Sequence, residues 1–177
     1  MKNSLRQILV LSLLILAPII SCAQTDAPLV HEGIVNAPLA QVWAAFTTKE
    51  GLESWMVAHA EIDLRVGGVM KTQHDAKDTV DGPGAIANTI LSYEPMRMLS
   101  MRVQKFPQGF PFPHAITQMW TMVYFEPQGE NATRIREVCL GFTAEEESRR
   151  MREFFNYNNT LTLELLQKRF AAAAVAK

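Results

Sequence analysis

The sequence predicts an α+β fold in which a curved antiparallel sheet wraps around a long C-terminal helix, with two short helices after the first strand. Three observations carry this. Helical spacing of apolar residues is confined to a short stretch after residue 37 and a long one from about residue 144. Between them, from Ala60 to Phe142, apolar and polar residues alternate with a period of two, interrupted by turn-forming glycine, proline and asparagine. Finally, 177 residues that are 48% hydrophobic and 20% charged are enough for one domain with a real core. A sheet that curves must bury its concave face, and the terminal helix is the one element long enough to cover it.

In chain order, "LVHEGIVN" (29–36) has the composition of a strand. "APLAQVWAAFT" follows, with Pro38 near its first turn and Leu39, Val42, Trp43 and Phe46 at helical spacing. Gly51 breaks that helix, and a second short one puts Leu52, Trp55 and Met56 on one side, so that both tryptophans can face the same interior. Ala60, Ile62, Leu64 and Val66 alternate with charged residues as a half-buried strand. Gly67-Gly68 supplies the positive φ of a turn into "VMKTQH". A two-residue turn would set Leu64 and Lys71 on one face, so a bulge or longer loop is expected there. With Lys71 outward, Met70, Thr72 and His74 point inward. The strands "AIANTILSYE", "MLSMRVQK", "TQMWTMVYFE" and "TRIREVCLGF" complete the sheet, and Thr143 opens the last helix with Glu145 and Glu146 in its first turn.

The first residues stand apart. Lys2 and Arg6 precede the apolar run Ile8–Ile20, which is shorter than the roughly 20 residues of a spanning helix and is interrupted by Pro18. This is the form of a bacterial export signal over residues 1–21, followed by a tether, 22–28, and one domain, 29–177. Ile19-Ile20-Ser21-Cys22 resembles a lipobox, which implies acylation of Cys22 and anchoring in the membrane; Ser21-Cys22-Ala23 also fits simple cleavage after Ala23. Either route places the protein in the cell envelope, and alanine after the cysteine favours, by that resemblance, the periplasmic face of the outer membrane. With Cys22 lipidated, Cys139 has no partner for a disulfide. Removal of Lys2 and Arg6 takes the formal charge from −1 to −3, which offers nothing to nucleic acid.

The order of elements resembles the helix-grip fold of the SRPBCC superfamily, which includes START domains and the birch-pollen allergen. More closely, the chain is similar to the family related to the C-terminal domain of the heat-shock-protein-90 ATPase activator. The residues that carry the resemblance are Ala37-Pro38 with "QVWAAFTTKEGLESWM", "DLRVGG" at 63–68, Glu94-Pro95-Met96-Arg97-Met98-Leu99, and "GENATRI" leading to Gly141-Phe142. It extends from Leu29 to Phe170. It implies a cavity between sheet and helix for a lipid, sterol, polyketide or other apolar molecule, and, in some relatives, cyclase, dehydratase or hydrolase chemistry. A co-chaperone role is not implied for an exported domain, which meets neither that chaperone nor ATP. Two departures stand out: "FFNYNNTLT" replaces the Gly-Trp pair common in the last helix, and Glu137 occupies a position that is usually apolar.

Functional residues follow from strand alternation. His74 falls on one face with Met70, and Glu137 with Ile135 and Cys139, on what should be the concave side. A histidine and a carboxylate in an apolar cavity can transfer a proton, with burial raising the carboxyl pKa; equally, Glu137 can reach water or pair with an arginine such as Arg102. Phe154, Asn158, Leu161 and Leu165 form a helical stripe that would bring an amide into the cavity. Phe106, Phe110 and Phe112 in "FPQGFPFPH" suit an aromatic lip, or simple packing on the sheet. The expected ligand-binding set is therefore Trp43, Trp55, Met70, Thr72, His74, Phe110, Phe112, Phe154, Asn158 and Leu161. The four histidines have no metal-ligand spacing, and no P-loop, dinucleotide or nucleophile-elbow motif occurs, so neither metal nor cofactor is expected. A small apolar ligand bound without turnover, an enzyme using His74 and Glu137, and a groove for a partner protein are the three functions this leaves open.

Overall fold

The computed structural model describes residues 27–175, with side chains to residue 171; the signal segment, Cys22 and most of the tether lie outside the described residues. The first strand, β1 (Leu29–Val35), leads into helices α1 (Leu39–Thr47) and α2 (Lys49–Glu53). Six strands follow: β2 (His59–Ile62), β3 (Val69–Gln73), β4 (Ile86–Glu94), β5 (Met98–Lys105), β6 (Trp120–Pro127) and β7 (Thr133–Leu140). Helix α3 (Glu146–Val175) closes the chain. All the pairings are antiparallel and the sheet order is β1-β7-β6-β5-β4-β3-β2, so the first strand closes back beside the last. Register shifts between β4 and β5, at Ala87/Asn88 and Ile90/Ser92, are irregularities of the kind at which a sheet bends. This is the helix-grip arrangement.

Local chemistry explains the boundaries. Pro38 has no N–H to leave unsatisfied and stands immediately before α1. The Thr48 hydroxyl accepts from the Gly51 amide at 2.9 Å, which caps α2 and sets the break between the helices. At the other end, the Thr143 amide donates to Ser148 Oγ at 2.8 Å, so α3 begins two residues later than the sequence pattern suggests. Several strands are shorter than expected: β6 begins at Trp120, because Ala115–Gln118 form a 3-10 turn where a strand was expected from Thr117, and β7 ends at Leu140 rather than Phe142. β2 ends at Ile62, and residues 63–68 form a loop whose Gly67 amide donates to the Ile90 carbonyl at 2.8 Å. Val66 consequently faces solvent, where alternation alone had placed it inward. The glycines permit this loop: Gly67 has φ +77, and a Cβ on Gly68 would fall 2.0 Å from the Asp63 carbonyl oxygen.

The core is divided. One cluster holds Trp43, Phe46, Leu52, Ile90, Phe125 and Leu166, joining α1, α2 and the sheet to the far half of α3. The other holds Leu29, Phe112, Ile116, Met119, Cys139 and Met151, around the near half of α3. Helix α3 is tied along β1 by polar contacts, with Gln167 Nε2 donating to the Ile34 carbonyl at 2.9 Å and Arg152 Nη1 to the Ala27 carbonyl at 2.6 Å. A Cβ on Gly33 would lie 3.0 Å from the Leu163 side chain, so a small residue on β1 lets the helix approach. Between the two clusters, sheet and helix do not fill the space.

Candidate functional site

That space is a cavity of about 450 Å³, within the range of small-molecule sites. Its floor is the concave face of β3 to β7, its roof is α3, and the loop between β5 and β6 forms one side. The walls are mostly aliphatic, aromatic and methionine side chains, among them Met56, Met70, Met101 and Met119, which adapt readily to an occupant.

Of the ten residues expected from sequence to bind ligand, seven line this cavity: Trp55, Met70, Thr72, His74, Phe110, Phe154 and Asn158. Trp55 is held by its indole N–H, which donates to the Ala45 carbonyl at 3.0 Å, and by Phe46, whose ring lies 5.2 Å away. The other three are placed elsewhere. Trp43 is buried in the first core cluster, edge-on to Phe125 at 5.1 Å. Phe112 is buried behind the lining, 5.6 Å from the Phe110 ring and 5.7 Å from Phe154, and so holds those two rings in place. Leu161 is exposed on the outer side of α3.

The aromatic lip is fixed at both ends. Phe106, Phe110, Phe112, Phe154 and Phe155 meet in a chain of edge and tilted contacts between 5.5 and 6.0 Å, which links the loop to α3. Beyond the loop, Glu147 Oε1 accepts from the His114 and Ala115 amides at 2.9 and 3.2 Å and so clasps the start of α3 to the same segment.

Polar groups gather at Glu137. Its Oε1 lies 3.8 Å from Cys139 Sγ, the Thr121 hydroxyl is 3.5 Å from the same sulfur, and Asn159 Nδ2 donates to it at 3.4 Å. Glu137, Thr121 and Asn159 all line the cavity. Burial pushes the Glu137 carboxyl up to about 7, against only a weak opposing hydrogen bond from Cys139. Burial, and after it the neighbouring Glu137, push the Cys139 thiol up to about 12, so it stays protonated and unreactive.

The two candidate proton-transfer groups line one cavity without meeting. His74 is exposed at the end of β3, and β4, β5 and β6 separate that strand from β7. Four inter-strand steps are roughly 19 Å along the sheet. The histidine beside Glu137 is instead His31, its register partner on β1; His31 Nε2 contacts the Asn156 carbonyl at 3.1 Å, while its buried Nδ1 has no hydrogen-bond partner. Arg102 stacks over the Trp120 ring at 5.7 Å and is not paired with Glu137. Sequence patterning also missed Asn159 and Thr121. The buried face of α3 runs through Met151, Asn159, Leu166 and Phe170, so the deeply buried amide is Asn159. Asn158 is only half-buried and donates to the Phe154 carbonyl of its own helix at 2.8 Å. Among the described residues no three His, Cys, Asp or Glu side chains converge as metal ligands.

Residues 36–170 match the model of the family described as Activator of Hsp90 ATPase homolog 1-like protein. No curated protein matches the chain. Among solved structures, a protein from Mesorhizobium loti is 20% identical and superposes with a TM-score of 0.64, over 82% of this chain and 98% of its own. The Aha1 dimer from Colwellia psychrerythraea is 15% identical with a TM-score of 0.63, covering 81% and 96%. A Nitrosomonas europaea protein is 18% identical with a TM-score of 0.62, covering 85% and 97%. At these identities the likeness is one of fold.

Proposed function

Because this chain belongs to the Activator of Hsp90 ATPase homolog 1-like family, whose helix-grip fold suits a ligand-binding domain in general, we propose that it binds one small apolar or amphipathic molecule between sheet and helix. The observation that carries this reading is the cavity of about 450 Å³, apolar along its walls and polar at Glu137. Binding without turnover is favoured over proton-transfer catalysis, because His74 and Glu137 stand at strands four steps apart in the sheet. Trp55 lies in the wall, so occupancy should change tryptophan fluorescence. Titration with a panel of fatty acids, isoprenoid alcohols, long-chain amines and aromatic polyketides is expected to yield a saturable signal. Val103→Phe, which adds volume at the wall, is expected to weaken that binding about tenfold or more while thermal unfolding stays near wild type. If no compound perturbs the signal, the groove serves a partner protein instead.

We further propose that the domain is exported and held at the outer membrane, on its periplasmic face, through acyl chains on Cys22. Support comes from the charged start, the short apolar run and Ile19-Ile20-Ser21-Cys22. Two or more chains anchor a protein stably where one does so marginally. Cys22→Ser is expected to move the protein from the membrane fraction to the soluble periplasm. A wild-type protein already soluble, with its N-terminus at Gln24, would rule the anchor out.

A further inference from the structure

We infer that the cavity is built for an apolar molecule ending in a cationic amine, with Glu137 as the counter-charge. The inference rests on the cavity-binding reading and gives it a ligand class. Its starting point is the charge of the wall. Among the described residues, the acidic and basic side chains that line the cavity are Glu137, on β7, and His74, at the exposed end of β3; no described lysine or arginine lines it.

The described neighbours of Glu137 supply no lysine or arginine either. On its own strand the Cys139 thiol is a weak donor, 3.8 Å away. On β6, Val123 stands opposite, and the hydroxyl of Thr121 is engaged with Cys139 Sγ. On α3, the Asn159 amide donates to the same sulfur. On β1 the titratable neighbour is His31, whose Nε2 contacts the Asn156 carbonyl and whose buried Nδ1 has no hydrogen-bond partner; it makes no hydrogen bond to Glu137. A carboxylate left in such surroundings is costly and is relieved either by a proton or by a cation.

The three common heads of an amphipathic molecule fare differently here. A fatty acid whose head lies at Glu137 brings a second negative charge and meets no lysine or arginine there. A neutral alcohol can donate one hydrogen bond but leaves the charge uncompensated. An alkylammonium neutralises the carboxylate, while its tail lies against the methionine and phenylalanine walls. Phe155 lines the cavity and packs in the same cluster as Cys139, adding to the apolar wall against which the tail lies.

Octylamine, octanol and octanoate share a tail and differ only in the head, and they test this directly by calorimetry and tryptophan fluorescence on the purified protein. At about pH 8 octylamine is expected to bind about tenfold or more tightly than octanoate. An alkylamine, with a pKa near that of lysine at roughly 10, stays charged while Glu137 loses its proton. Octylamine affinity should therefore rise several-fold between about pH 6 and pH 8, and octanol affinity should not. Glu137→Gln is expected to abolish both the head-group preference and the pH dependence while octanol still binds; the wild-type pH series carries the test if that variant does not fold. Octanoate binding as tightly as octylamine, or a pH rise that persists in Glu137→Gln, overturns the amine assignment and leaves the cavity reading standing. Failure of all three compounds to bind overturns both.

Discussion

Replacing Trp43 by alanine is expected to lower folding stability by about 3 to 5 kcal/mol, the cost of emptying a buried aromatic site. The ring is 8% exposed and stands edge-on to Phe125, which in turn meets Phe46 at 5.2 Å. These contacts join α1 to β6, so the void would open where the helices seat on the sheet. In a chain of this length the loss corresponds to a fall in Tm of roughly 10 °C. Trp55→Ala is expected to cost less, because that ring is half-buried and one side faces the cavity; its main effect is on the fluorescence response to ligand. Urea denaturation of both variants checks the contrast. A Trp43→Ala protein within about 1 kcal/mol of wild type would show that α1 is not seated by this ring.

The difference between the two tryptophans was not visible in sequence, where both sit on the inner side of short amphipathic helices. What was legible was the succession of elements. Alternation marks strands because residues two apart share a face, and the turns are marked by residues with special backbone freedom. Both signals are local. The faces of α3 were harder to read, since Phe154, Asn158, Leu161 and Leu165 repeat at helical spacing as well as Met151, Phe155, Asn159 and Leu166 do. Two apolar stripes on one helix leave the choice to tertiary packing. Here β1 makes it: Gly33 admits Leu163, Gln167 reaches the Ile34 carbonyl, and the helix is thereby rotated so that Asn159 points inward and Leu161 outward.

Register had the same effect on the ionisable groups. Period two assigned Glu137 to the cavity, and that depends on β7 alone. Which histidine lies beside it depends on strand order, and β1 pairs with β7 only because the sheet closes back on its first strand. A long-range pairing of this kind leaves no trace in local spacing. His31 therefore carried no signal in the sequence, whereas His74 carried one that the topology then separated from Glu137.

Glu137→Gln is expected to make the unliganded protein more stable at pH 8, by up to roughly 3 kcal/mol relative to its standing at pH 4 to 5. The carboxyl has a folded pKa of about 7 against an ordinary value of 4.5, chiefly through burial. Between those values the folded state holds a proton that the unfolded chain releases, so wild-type stability falls as pH rises from about 4.5 through 7 and then stays at its lower level. At about 1.4 kcal/mol per unit the whole penalty is roughly 3 kcal/mol. Glutamine does not titrate, so the stability difference between variant and wild type should grow across that interval. Any fixed cost of burying the amide shifts the difference equally at every pH and cannot mimic its growth. Urea denaturation at several pH values measures it, and parallel pH profiles for the two proteins would mean that Glu137 reaches water in the folded state. A bound alkylammonium should reverse the effect, because a ligand that binds only the folded carboxylate form restores stability by mass action. The cavity would then be stable with its charge compensated and strained without it, which is the energetic mark of a site that awaits a cation.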